Sequence, residues 1–114
     1  MAEDFEEPEV PEGAAVFPLI PPELGVNPLL LATLHAVVFL VGSNEEVVEP
    51  AAGEEALQYL VTYLQRLSGK QLDRVKEDMA TLLAFAKQDG WDKQDMHFLK
   101  TFLTEFGIGG EPKA

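Results

Sequence analysis

Three aspartates near the C-terminal end of the chain have the type and spacing best suited to metal chemistry. Asp89, Asp92 and Asp95 lie around a single Asp-Gly turn, and carboxylate oxygens are the ligands that calcium and magnesium prefer. The helix–loop–helix calcium loop is absent, because Phe85 and Lys87 stand where that loop needs oxygen ligands. The aspartates therefore predict either a divalent-cation site or the ordinary start of a helix, in which Asp92 caps the backbone and Asp95 faces the helix dipole.

His97 is the residue whose setting indicates phosphoryl transfer. It opens the sequence His-Phe-Leu-Lys at residues 97–100, which resembles the His-x-Leu-Lys of histidine phosphotransfer domains, themselves four-helix bundles. Those domains follow the lysine with small residues, whereas residues 101–103 are bulky here. His97 is therefore either a phosphotransfer site or a solvated surface histidine. His35 stands inside an apolar run, and we expect it in the core, bonded to a carbonyl.

The sequence contains no recognisable catalytic set. There is no cysteine, and the only two serines, Ser43 and Ser68, are both expected in turns. A chain without cysteine has no disulfides, thiolate metal sites or cysteine nucleophiles, and a reducing cytoplasm is its default location. We expect a non-enzymatic, cytoplasmic protein without a cofactor, unless the acidic turn holds a divalent cation.

An apolar segment within the N-terminal arm is the best candidate for partner recognition. Residues 1–27 carry acidic residues and five prolines but no basic residue, and the first dozen are expected to be disordered. Val16, Phe17, Leu19 and Ile20 are too apolar to stay solvated without cost. They predict either a strap packed on the protein's own core or a short motif presented to a partner.

The net charge of −12, from 20 acidic and 8 basic residues, limits the classes of partner. Such a chain repels nucleic-acid phosphates and anionic membranes. The sequence does not begin with a basic segment followed by an apolar one, so a signal peptide is not expected. The expected partner is a protein that the sequence does not identify, and association of identical copies remains an alternative.

The element that must position these residues is the run LLLATLHAVVFLV at residues 29–41. As a helix it is apolar on every side, which predicts a buried central helix. It is shorter than the roughly 20 residues that a membrane span needs, and no Lys or Arg flanks it. Asn27 suits the N-cap, Pro28 the first turn and Gly42 the end.

Three amphipathic helices should follow, because apolar residues recur at helical spacing in three further stretches. We expect these helices at about residues 50–67, at about residues 70–88, and from Asp92 to the break at Phe106-Gly107. The charged residues in the first half of the third helix, including Asp78, are expected to be exposed. No strand alternation is present. We predict an all-α bundle of four to five helices, with an arm (1–27), a helical domain (28–108) and a tail (109–114).

Two short sequences recur in this helical region. LATL at 31–34 returns as MATL at 79–82, and YLVTYL at 59–64 returns as FLKTFL at 98–103. The recurrence predicts two helix–loop–helix repeats. Their first helices should then lie side by side in the middle of the bundle, flanked by the second helices.

Residues 83–108, LAFAKQDGWDKQDMHFLKTFLTEFGI, resemble the repeat of TerB-like (tellurite-resistance) domains. Asp89-Gly90 stands at the family's Asp-Gly position and Asp95 at its acidic position. The resemblance extends over residues 29–108, although Gly42-Ser43-Asn44 replaces Asp-Gly in the first half and the loop is longer. It implies an all-helical, stress-associated domain that binds metal or scaffolds proteins.

We therefore expect a protein-interaction or scaffolding module. One alternative is a histidine phosphotransfer or metal-sensing regulator. Another is an accessory subunit of a larger or membrane-associated complex.

Overall fold

A computed structural model describes residues 12–109, and all the regular secondary structure within that range is helical. A short 3-10 helix, Pro22–Leu24, precedes four α-helices: α1 (Pro28–Gly42), α2 (Pro50–Leu64), α3 (Gly69–Asp89) and α4 (Lys93–Glu105). The prediction of an all-α bundle is confirmed. The predicted disorder of the first residues and most of the predicted tail lie outside the described range.

Local sequence signals set where two of the helices begin. The Asn27 side chain accepts a hydrogen bond from the Leu29 backbone N–H at 2.8 Å. The Asp92 side chain accepts one from the Asp95 N–H at 2.9 Å. Both satisfy N–H groups that have no partner inside the helix, so the predicted N-caps of α1 and α4 are confirmed.

The end of α4 is also set locally. Gly107 has φ 66°, a left-handed conformation that a side chain disfavours. The Ile108 N–H then donates to the Leu103 carbonyl at 2.9 Å. Ile108 is only 4 % exposed, so the chain folds back onto the helix that it follows.

The four helices pair into two hairpins that share one core. The most extensive backbone contacts are between α1 and α2 and between α3 and α4. The buried apolar side chains are Phe17, Val26, Leu30, Leu34, Val37, Met79, Leu82, Ala86, Leu99, Phe102 and Ile108. All of α2 is described, and Gly53 is its one buried residue. This helix therefore covers the core with half-buried side chains and lies at its edge.

The recurring sequences occupy similar positions only in part. Leu34 of α1 and its counterpart Leu82 of α3 are both fully buried. By contrast, Tyr63 of α2 is 61 % exposed, whereas its counterpart Phe102 of α4 is 1 % exposed. Helices α1 and α3, the first helices of the two repeats, share the core. Each has its main backbone contacts with its own hairpin partner, α2 or α4, and not with the other first helix. The internal repeat itself stays a prediction.

The prediction that α1 is buried on every side is wrong. Of its fifteen residues only Leu30, Leu34 and Val37 are buried, whereas Leu29 is 77 % and Val41 59 % exposed. The neighbouring elements cover one side of α1 and leave the other open. Among residues 12–109 there is no helix with both the length and the apolar character needed to cross a membrane.

The folded domain begins before residue 28, so the predicted boundary between arm and domain is corrected. Phe17 and Val26 are 6 % and 8 % exposed and belong to the core. The Ala15 N–H donates to Ser43 Oγ at 2.9 Å, which ties the segment to the end of α1. Residues 12–27 pack on the bundle because their apolar side chains cover core that the four helices leave open.

Candidate functional site

The outer side of α1 and the segment that crosses it form an apolar surface. A shallow pocket of about 280 Å³ lies there, lined by residues 17–20 together with Leu31, Ala32 and His35. We call these residues the α1 surface. Helix α1 contains no Asp, Glu, Lys or Arg, so this surface combines exposed apolar groups with a single titratable side chain, His35.

The segment containing residues 16–20 divides its side chains between the core and solvent. Phe17 is buried and packs edge-on against Trp91, with 5.7 Å between ring centroids, and Ile20 is half-buried against the core. Val16 and Leu19 are 47 % and 71 % exposed. Phe17 and Ile20 thus act as the predicted strap. A partner contact through Val16 or Leu19 stays a prediction.

The three aspartates of the acidic turn are engaged in local structure. Asp89 Oδ2 accepts a hydrogen bond from the Trp91 indole N–H at 3.2 Å, and Asp92 caps α4. Within residues 12–109, no three His, Cys, Asp or Glu side chains are arranged to hold a metal ion. The structure therefore does not gather Asp89, Asp92 and Asp95 into a cation site.

Asp95 differs electrostatically from an ordinary surface aspartate. Partial burial raises the pKa of its carboxyl above the ordinary value, and the negative charge and hydrogen bonding of Asp92 raise it further. A proton on Asp95 would remove the repulsion between the two carboxyls.

Both histidines are exposed. For His35 this contradicts the expectation of a core histidine bonded to a carbonyl, because the open side of α1 carries it. His97 is exposed on α4, whereas Phe102 of the same helix is buried. A phosphotransfer histidine must be exposed, but an ordinary surface histidine is exposed as well. The role of His97 therefore stays a prediction.

Asp78 is a polar residue whose environment the sequence did not reveal. It was expected on the exposed half of α3, but it is 5 % exposed. Its carboxylate pairs with Arg74, with 3.0 Å between Oδ1 and Nε. The signal available in the sequence was the spacing of four residues between these two opposite charges, which places them together on a helix.

A second groove, absent from the sequence predictions, lies between α3 and α4. It has a volume of about 510 Å³ and an apolar floor that includes Met79, Leu83, Leu99 and Leu103. Lys76 and Lys100 are also among its lining residues. We call it the α3–α4 groove.

Comparison with known proteins adds no relative: no family model, curated protein or solved structure matches this chain. The resemblance to TerB-like domains therefore stays a prediction, neither supported nor contradicted. Any functional conclusion rests on the surfaces described above.

Proposed function

We propose that this chain is a non-enzymatic protein-interaction module that binds a protein partner through the α1 surface. The observation that carries the proposal is Leu19, which is 71 % exposed beside a helix without charged side chains. Contiguous apolar groups on the outside of a soluble domain are typical of interaction sites. In a free monomer they would remain in contact with water at a cost in free energy.

The charges that flank α1 in the chain indicate the kind of partner. Exposed carboxylates lie before and after α1 in the chain, at Glu23 and at Glu45 and Glu46. Protein interfaces commonly have an apolar centre and a polar rim. We infer a partner with apolar side chains at its centre and basic ones at its edge, and the net charge of −12 would speed their encounter.

The expectations of a cytoplasmic location and of a scaffolding role related to TerB-like domains belong to the same proposal. The absence of cysteine supports the first. The acidic Asp-Gly turn at Asp89 supports the second. Neither is needed for the α1 surface to bind a partner.

The proposal is tested by placing carboxylates in the α1 surface. The double variant Leu19→Glu, Ala32→Glu changes two exposed positions and should leave the bundle folded. Wild type and variant are used to capture proteins from a native lysate, which are identified by mass spectrometry. A partner of this surface is retained by wild type and lost from the double variant.

The matched control is Ala84→Glu with Ala56→Glu, which adds the same two charges at exposed positions of α3 and α2. This control should retain the partner. If the control and the α1-surface variant lose the same proteins, charge alone explains the result. If neither loses any, the α1 surface is not the binding site.

A further inference from the structure

The α3–α4 groove has a charge opposite to that of the chain. Among residues 12–109, the charged side chains that line it are Lys76 and Lys100, and no carboxylate lines it. Its floor is apolar, with Met79 and Leu99 nearly buried and Leu83 and Leu103 half-buried. In a protein with net charge −12, a cationic apolar groove fits a ligand that is both acidic and apolar.

The other large groove differs in this respect. It has a volume of about 440 Å³ and its lining includes Leu29, Lys70, Arg74 and Asp78. Arg74 is bonded to the Asp78 carboxylate at 3.0 Å, so one of the two cations of that groove is balanced within the groove. A groove lined by cations without a carboxylate is therefore a specific feature of the α3–α4 pair.

The chain itself contains a segment with the complementary chemistry. Residues 1–11, MAEDFEEPEVP, precede the described range. They hold five carboxylates and no Lys or Arg. Phe5 stands between Asp4 and Glu6, so one aromatic ring has an acidic side chain on either side. Eleven extended residues reach up to about 40 Å, comparable with the 45 × 36 × 24 Å extents of the protein.

We propose that residues 1–11 dock in the α3–α4 groove of the same chain. Phe5 contacts the apolar floor, and the carboxylates of Asp4 and Glu6 lie beside Lys76 and Lys100. Covalent attachment keeps this segment at an effective concentration on the order of millimolar, so weak contacts are enough to occupy the groove. Composition alone predicts disorder for these residues, but it does not take account of a groove of opposite charge on the same molecule.

The absence of cysteine from the natural chain allows a direct test on the full-length protein. Ala2→Cys introduces a unique site for a nitroxide spin label, which broadens the NMR signals of nearby amide protons. We expect loss of the amide signals of Ala80 and Thr104, which line the groove. Those of Gln58 and Tyr59 on α2 should be retained.

Two further variants separate charge from apolar contact. Lys76→Glu with Lys100→Glu should restore the lost signals, and Phe5→Ser should restore them without any change in the groove. The matched control, Lys70→Glu with Lys87→Glu, reverses two other exposed lysines of α3 and should leave the broadening in place. Salt at 1 M, where the screening length is about 3 Å, should weaken the broadening.

Three results overturn the proposal. The first is broadening that is spread evenly or centred on the α1 surface. The second is broadening at the groove that survives both the lysine reversal and Phe5→Ser. The third is broadening at the groove that persists when chains carrying only the spin label are mixed with chains carrying only the isotope label, which would place the segment of a second copy in the groove.

Discussion

The carboxylate of Asp78 in α3 accepts a hydrogen bond from the backbone N–H of Asn27, the residue that caps α1, at a distance of 3.1 Å. Its other oxygen accepts a hydrogen bond from Arg74 Nε at 3.0 Å. Arg74 in turn donates to the Gly25 carbonyl at 3.0 Å. A buried carboxylate is costly unless it is paired, and here the pairing joins the start of the first hairpin to the middle of α3.

Replacing Asp78 by Ala should lower the free energy of unfolding by about 1–3 kcal/mol, because the Asn27 N–H loses its partner in a partly buried place. Asp78→Asn keeps one acceptor oxygen and should cost less. Urea denaturation measures both losses. The control Asp73→Ala removes an exposed carboxylate of the same helix and should stay within about 0.5 kcal/mol of wild type. Equal losses at Asp73 and Asp78 would contradict the role of the buried contact.

Leu34→Ala should destabilise the protein by about 2–5 kcal/mol, the usual range for such a change in a core, because Leu34 is fully buried. The same substitution at Leu29, on the same helix but 77 % exposed, should cost less than about 0.5 kcal/mol. Thermal or urea unfolding gives both values. A small loss at Leu34 would show that α1 is not part of the core.

Phe17→Ala should cost about 3 kcal/mol, the lower end of the range for a buried phenylalanine, because a surface strap can relax. The chain has one tryptophan, Trp91, whose ring lies against Phe17. Its fluorescence should therefore shift to longer wavelength as water reaches it. Leu19→Ala is the matched control, since Leu19 is exposed, and it should change neither stability nor emission.

A chain beginning at Glu23 lacks the whole strap and should melt at a lower temperature than the full chain. It should also bind more of a dye that reports exposed apolar surface. Unchanged melting would mean that the strap does not stabilise the bundle. In that case the role of residues 16–20 would be to bind a partner and not to stabilise the fold.

The raised pKa of Asp95 predicts a pH dependence of stability. In the folded state Asp95 holds its proton at a pH where the unfolded chain, with the ordinary value of 3.8, has lost it. Stability therefore falls as the pH rises from 3.8 through the raised pKa. Above that window Asp95→Asn should be more stable than wild type by a few tenths of a kcal/mol at most, because solvent screens an exposed pair.

That gain should vanish below pH 3.8, where Asp95 is protonated in both states. Unfolding curves across this range measure it. The control Asp73→Asn removes an exposed carboxylate but keeps Asp95 and Asp92, so it should retain the fall in stability across this window. Lower stability of Asp95→Asn at neutral pH would mean that attraction to the α4 dipole exceeds repulsion by Asp92.

The sequence by itself determined the helices, because their boundaries depend on residues close together in the chain. Asn27 and Asp92 cap backbone N–H groups within three positions, and Gly107 supplies a left-handed turn at its own position. Periodic apolar residues between such signals were sufficient to predict an all-α bundle. The apolar character of Phe17 predicted either a strap or a motif for a partner, and it did not predict the packing against Trp91.

Tertiary structure alone decided which surfaces are open and which charges are buried. The composition of α1 predicted burial on every side, but the cover around a helix is set by packing, and here Leu29, Ala32, His35 and Val41 stay exposed. Asp78 became buried because α1 begins beside it, which its own helix cannot specify. The α3–α4 groove likewise exists because residues distant in sequence, such as Lys76 and Lys100, line one cavity. Both candidate binding surfaces therefore arise from the way the helices pack together. The sequence of each helix alone predicts that it is helical, but not which surface it leaves open.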